Sequence, residues 1–172
     1  MDISLISTQY MVRILDEEDV PQIYELCSKN LLYYQYCPPI VTEDLIRSDM
    51  KALPPGKALE NKYYLGFFDN NRLIAVMDFI CAFPDEQTDF IGFFMVDSSL
   101  QKIGIGSSII RELCAYLKCE GTTSVRLGWV NGNLQAEHFW KKNGFVETGV
   151  ISKTPDYEIV IAEKRLKNDN YR

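Results

Sequence analysis

The stretch Gln101-Lys102-Ile103-Gly104-Ile105-Gly106 stands between an apolar run ending Phe94-Met95-Val96 and a run in which Ile105, Ile109, Leu113 and Leu117 recur every four residues. The first run reads as a strand and the second as an amphipathic helix. Two glycines one residue apart at such a junction let backbone N–H groups approach a ligand with no Cβ in the way, and the helix start adds partial positive charge. The stretch therefore predicts a site for a phosphate-bearing ligand. It is not a P-loop, because Gly106 is followed by Ser107-Ser108 with no lysine. A dinucleotide fingerprint is equally poor, since Ile109 stands where a third small residue belongs.

The remaining pattern, Gln-x-x-Gly-x-Gly after an apolar strand, resembles the acyl-CoA loop of the GNAT N-acetyltransferase family. A second segment, Asn133-Leu134-Gln135-Ala136-Glu137-His138-Phe139-Trp140-Lys141-Lys142-Asn143-Gly144-Phe145, is similar to the family's Asn-x-x-Ala-x-x-Phe-aromatic-x-x-x-Gly-Phe element. Val12-Arg13-Ile14-Leu15, followed by Asp16 to Asp19 and an amphipathic stretch, resembles the family's first strand and helix. The resemblance spans residues 10–165 and implies an α/β (α+β) fold in a single domain over residues 1–172. That fold is a central mixed, mostly antiparallel twisted sheet of six to seven strands flanked by about four helices. It further implies acetyl-CoA as co-substrate, no metal, and a small amine or peptide as acceptor, with a homodimer allowed.

Length and composition agree with one domain. A chain of 172 residues is short for two cores. Its 47% hydrophobic and 24% charged residues are ordinary for a globular protein. No apolar run reaches the roughly 18 residues of a spanning helix, and Met1-Asp2-Ile3-Ser4 lacks the basic start of a secretory signal. The expectation is a cytoplasmic protein that binds no membrane. Cys27, Cys37, Cys81, Cys114 and Cys119 are odd in number and contain no Cys-x-x-Cys pair, which predicts free, mostly buried thiols. A net charge of -6 disfavours nucleic acid and suits a cationic acceptor. Lys164, Arg165 and Lys167 read as a solvated tail.

Periodicity and punctuation predict the other elements. Residues 13–15 read as a strand and 17–28 as a helix burying Val20, Ile23, Tyr24 and Cys27. Residues 31–40 hold Tyr33, Tyr34 and Tyr36 and end in Pro38-Pro39, which predicts an ordered loop. Thr42 caps a helix over 43–51. Residues 63–68 and 72–81 form a hairpin around Asp69-Asn70-Asn71, and 89–96 is a third strand in which Gly92 signals a bulge or a close backbone approach. Gly121 ends the helix after the glycine loop. A strand over 124–130, a helix over 134–142 stopped by Asn143-Gly144, and strands over 145–150 and 157–162 complete the chain.

Amide formation on an amine needs a held thioester, a neutral nucleophile, a stabilised carbonyl oxygen and a proton for the leaving thiolate. The resemblance places the pyrophosphate on the backbone of Gln101, Lys102, Ile103, Gly104, Ile105 and Gly106, with the hydroxyls of Ser107 and Ser108 beside it and Lys102 adding charge. It gives the pantetheine amides to the backbone of Phe94, Met95 and Val96. Asn133 reaches the same arm or simply caps its helix, and Ala136, Phe139 and Trp140 wall the site.

Trp140 departs from the tyrosine many relatives use as general acid, and an indole N–H does not transfer a proton near neutral pH. Some relatives carry a glutamate base where this chain has Phe90. The carboxylates nearby are Asp89 and, on the adjacent strand, Asp78, each of which is also an ordinary surface residue type. His138 faces outward on its helix. Tyr33, Tyr34 and Tyr36 either border the acceptor through their ring faces or pack their segment onto the core. The same features admit a second function, an inactive acetyl-CoA-binding sensor or protein-interaction module.

Overall fold

In a computed structural model, which describes residues 1–166, the chain builds β1 (Met11–Ile14), α1 (Val20–Ser28), α2 (Leu31–Tyr36), α3 (Glu43–Asp49), β2 (Lys62–Asp69), β3 (Arg72–Ile80) and β4 (Thr88–Val96). It continues through α4 (Ile105–Glu120), β5 (Ser124–Val130), α5 (Leu134–Lys142), β6 (Val146–Lys153) and β7 (Glu158–Arg165). The seven strands form one sheet in the order β1-β2-β3-β4-β5-β7-β6. Every neighbouring pair is antiparallel except β4 and β5. This is the mixed α+β sheet expected, carrying five helices instead of about four.

Strand alternation divides the interior in two. Leu65, Phe67, Met77, Phe79 and Ile91 pack with Ile109, Leu113 and Leu117 of α4. Tyr64, Phe68, Val76 and Met95 pack on the other side with Val20, Ile23 and Leu26 of α1 and Ile46 of α3. Because both faces are covered, β2 and β3 are almost continuously buried. The β6 edge is the opposite case. All eight of its residues are exposed, among them Val146 and Val150.

The decisive geometry lies in β4. Asp78 of β3 pairs with Phe93, but its neighbour Phe79 pairs with Ile91, so Gly92 is the extra residue of a β-bulge. On its other edge β4 pairs with β5 only from Thr88↔Ser124 to Ile91↔Leu127. Beyond the bulge the two parallel strands part, and the β5-facing edge of residues 92–96 has no strand partner. A Cβ on Gly92 would lie 2.8 Å from Oδ2 of Asp78, closer than real contacts allow, so glycine is what lets that carboxylate sit over the bulge.

Several sequence readings are corrected. Residues 31–36 are helical, not an ordered loop. Proline restricts the residue directly before it, so Pro38-Pro39 stops the helix at Tyr36 without forbidding the turns upstream. The first helix starts as a 3-10 turn over Glu17–Asp19 and buries Leu26, while Tyr24 is exposed. Lys164 and Arg165 belong to β7 and are no tail; the Lys164 ammonium donates to the Asn143 carbonyl at 2.9 Å. Lys167 lies outside the described residues. The five thiols are free, but only Cys27 and Cys114 are buried and Cys119 is exposed. No helix among the described residues is long and apolar enough to cross a membrane.

Candidate active site

The glycine loop begins where β4 ends. Asp97 caps a 3-10 turn over Ser98–Leu100 by accepting from Ser99 N–H at 2.8 Å, and it also holds Arg72 at 2.8 Å. Gly104, the N-cap of α4, has φ 94°, a left-handed conformation that glycine adopts without Cβ strain. The first intrahelical bond runs from Ser108 N–H to the Gly104 carbonyl at 2.9 Å. The N–H groups of Ile105, Gly106 and Ser107 therefore have no acceptor within the helix and point out of its N-terminus. A Cβ on Gly106 would stand 3.1 Å from the Phe139 ring and 3.3 Å from Val96, so the helix start packs directly on α5 and on the end of β4.

The side chains of the loop do structural work. Gln101 Nε2 donates to the Val96 carbonyl at 3.0 Å and to Oδ1 of Asn30, whose own amide donates to the carbonyls of Leu26 and Val96. The Val96 carbonyl is thus already committed within the protein. Asn30, buried at the α1–α2 junction, was not identified from sequence. Ser107 Oγ accepts from Asn143 Nδ2 at 3.1 Å, and Ser108 Oγ donates to Gln9 at 3.1 Å while accepting from Arg111.

Lys102 is held at φ 65°. A side chain there costs roughly 1 kcal/mol or more, so Lys102→Gly should raise unfolding free energy by about 0.5–1 kcal/mol. Its lost charge should weaken coenzyme A binding several-fold at low salt and less at high salt. Urea melts and calorimetric titrations at two ionic strengths check both; destabilisation by the glycine would contradict the strain argument.

Across the gap between β4 and β5 stands an aromatic wall. Phe94 lies 6.1 Å from Phe139 and 6.0 Å from Trp140, and Trp140 meets Phe139 at 4.9 Å and Phe145 at 5.2 Å. Trp140 is 7% exposed, an apolar wall in the core. Asn133 caps α5, its Oδ1 accepting from Ala136 N–H at 3.1 Å, and Ala136 packs with Phe139 onto the core.

At the bulge, Asp78 and Asp89 have parted company. Asp89 accepts from Ala82 N–H at 2.9 Å with one oxygen and from Thr122 Oγ1 at 2.7 Å with the other, and so pins two loops. Asp78 instead opens onto a cavity of about 180 Å³ lined by Ala52, Leu53 and Pro54 and by Phe90 and Gly92 of β4. Burial pushes its carboxyl above the ordinary aspartate range, and the ammonium of Lys62 at 2.7 Å pulls it back down.

The Lys62 side chain is only 2% exposed, yet the sequence reading passed over it. The signal was present. Lys62 shares a strand face with Tyr64, and Tyr64 pairs with Asp78, so the lysine points inward on a diagonal to the carboxylate. Asp49, at the end of α3, has its carboxyl raised first by burial and then by the charge of Asp78, with Lys62 opposing.

The tyrosines flank this place. Tyr33 meets Tyr34 edge-on at 5.0 Å and Phe93 at 5.6 Å, one residue from the bulge. Burial holds the Tyr33 phenol well above its ordinary range, so it stays protonated. Tyr36 is half-buried. The Cys37 thiol donates to the Tyr157 oxygen at 3.3 Å, which ties the end of α2 to the β6–β7 turn. Among the described residues no group of three or more His, Cys, Asp or Glu is placed to hold a metal.

A bulged strand parting from its parallel neighbour above a glycine-rich helix start defines an acyltransferase fold. Residues 22–145 match the model of the acetyltransferase (GNAT) family, and the chain belongs to that family. Among solved structures it is similar to an acetyltransferase from Thermus thermophilus, with a TM-score of 0.73 at 13% identity over 91% of this chain and 97% of the other. The aminoglycoside acetyltransferase AAC(6')-Ib in complex with ribostamycin and coenzyme A gives 0.71 at 19%, over 91% and 93% of the two chains. The ribosomal-protein-S18-alanine N-acetyltransferase from Escherichia coli gives 0.65 at 17%, over 95% and 99%. A search among curated proteins finds no match. These likenesses establish the fold.

Proposed function

We propose that this protein is an N-acetyltransferase that moves the acetyl group of acetyl-CoA to a primary amine by direct attack in a ternary complex. The observation that carries this reading is the bulge at Gly92, where β4 parts from β5 and over which the Asp78 carboxylate sits. The residues present fit the co-substrate: a Cβ-free helix start with outward N–H groups for the pyrophosphate, and strand backbone at Phe94 on the edge that β5 leaves unpaired for a pantetheine amide, while the Met95 backbone is paired with β3. Acetyl-CoA supplies a thioester carbonyl.

An amine with pKa about 10.4 is almost wholly protonated at neutral pH, and freeing its lone pair costs about 4.6 kcal/mol. Asp78 takes that proton, directly or through one water. The amine nitrogen then bonds to the carbonyl carbon as the C–S bond breaks. One of the nitrogen's remaining protons ends on sulfur, and the proton held by Asp78 passes to solvent. With Trp140 in the core, no tyrosine acid stands at that place; a thiol of pKa near 8.5 leaves acceptably without one. Free thiols suit a reducing, cytoplasmic setting.

The test is incubation of the pure protein with acetyl-CoA and a fractionated pool of amines and peptides, reading thiol release and acetylated product masses. An N-acetylated product is the expected result. Trp140 is the observation that favours the second reading, a non-catalytic acetyl-CoA-binding module. Binding of acetyl-CoA with no thiol release from any fraction would move the conclusion there.

A further inference from the structure

The cavity beside the bulge carries a charge and a shape that select among amines. Asp78 is the one charged group among the described residues that line it, and its carboxylate is paired with the Lys62 ammonium at 2.7 Å. Apart from Asp78 the walls are apolar: Leu53 and Pro54 on one side, Phe90 and Ile80 on the other. The volume of about 180 Å³ has room for a short stem of a few methylenes.

We propose that this cavity takes a primary amine bearing one positive charge on a short, unbranched apolar stem, and that its apolar walls exclude amines with a second charge. The proposal rests on the reading of Asp78 as the group beside the attacking nitrogen. A stem of this kind is common to a small alkylamine and to a lysine side chain. Each methylene buried against Leu53, Pro54 and Phe90 is worth roughly fourfold in affinity. One ammonium pairs with Asp78. A second, at the far end of the stem, meets the apolar walls and loses its hydration without gaining a partner.

The matched pair n-pentylamine and 1,5-diaminopentane tests this, since the two differ only in the terminal ammonium. With acetyl-CoA saturating, kcat/KM from thiol release is expected to be at least tenfold higher for the monoamine. Lys62→Met removes the partner of Asp78 and leaves the apolar walls intact, so it should change both rates together and keep their ratio; loss of the ratio overturns the assignment of the exclusion to the walls. Equal or better turnover of the diamine by the parent protein overturns the proposal.

Nα-acetyl-lysine amide forms a further arm. Turnover well above pentylamine assigns the stem to a peptide acceptor, and turnover well below it assigns it to a small amine.

Should no amine release thiol, both are titrated into the protein–coenzyme A complex while the Gly92 amide resonance is followed. Tighter binding of pentylamine there upholds the cavity assignment while the acetyltransferase reading falls. Tighter binding of the diamine, or binding of neither, overturns the assignment. Phe90→Trp, which fills the cavity, should abolish the Gly92 response.

Discussion

Asp78→Asn should lower kcat/KM for acetyl transfer by about 100- to 1,000-fold while leaving coenzyme A affinity within about twofold of the parent. A positioned general base contributes on this scale, and asparagine keeps the shape of the side chain but cannot take a proton. The pH dependence separates this from mere loss of packing. Asp78 must be ionised to act, so activity rises as pH climbs through its folded-state pKa, which burial has moved above the ordinary aspartate value. Lys62 is the principal influence acting the other way, and Tyr64 and Asp49 are the remaining titratable groups facing the pair.

Lys62→Met should therefore push the acidic limb of the kcat/KM profile to higher pH, because the carboxylate loses its cation and keeps its burial. The opposite shift, or none, would mean that another group accepts the proton. Asp89→Asn is the companion variant. Both its oxygens accept hydrogen bonds from loops, so its loss should appear as a lower unfolding temperature with little change in the limb.

How far this site was legible in the sequence depended on whether the determining contact was local. The limits of β5 and α5 read at their observed residues because their punctuation is local: Asn133 caps α5, and Gly144 beyond it takes φ 86°. The glycine loop likewise announces itself through spacing alone. The segment 31–40 misled because a double proline is a strong stop whose reach is short, and it leaves residues 31–36 free to form a helix up to it.

Gly92 was readable as a close approach, but not what approaches, since the Asp78 carboxylate comes from a strand fourteen positions earlier and its seat depends on the register of β3 against β4. Asp78 and Asp89 looked equivalent for the same reason. What separates them is which loops reach them, Ala82 and Thr122 in one case and a cavity in the other. Lys62 shows the cost of treating charge as surface: a lysine on the same strand face as the inward Tyr64 was already evidence of a buried partner.

Gly106→Glu should weaken coenzyme A binding by at least about 100-fold, equivalent to roughly 2.7 kcal/mol. Two effects act together at this position. The new Cβ has Phe139 at 3.1 Å and Val96 at 3.3 Å, so the aromatic wall must yield by a few tenths of an ångström. The new carboxylate then sits in the first turn of α4, where it competes for the outward N–H groups and repels the incoming pyrophosphate.

Gly106→Ala isolates the first effect, and its expected loss is under tenfold because a helix start otherwise favours alanine over glycine. Gly104→Ala isolates backbone strain. Nothing lies within 4 Å of its Cβ, but φ 94° is a left-handed value, so about 1 kcal/mol of stability should be lost with only a modest effect on affinity. Calorimetric titration with coenzyme A, alongside circular dichroism to confirm the fold, ranks the three. An affinity for Gly106→Glu within threefold of the parent, in a protein with native dichroism, would place the pyrophosphate somewhere other than this helix start and remove the ground on which the acetyl donor was assigned.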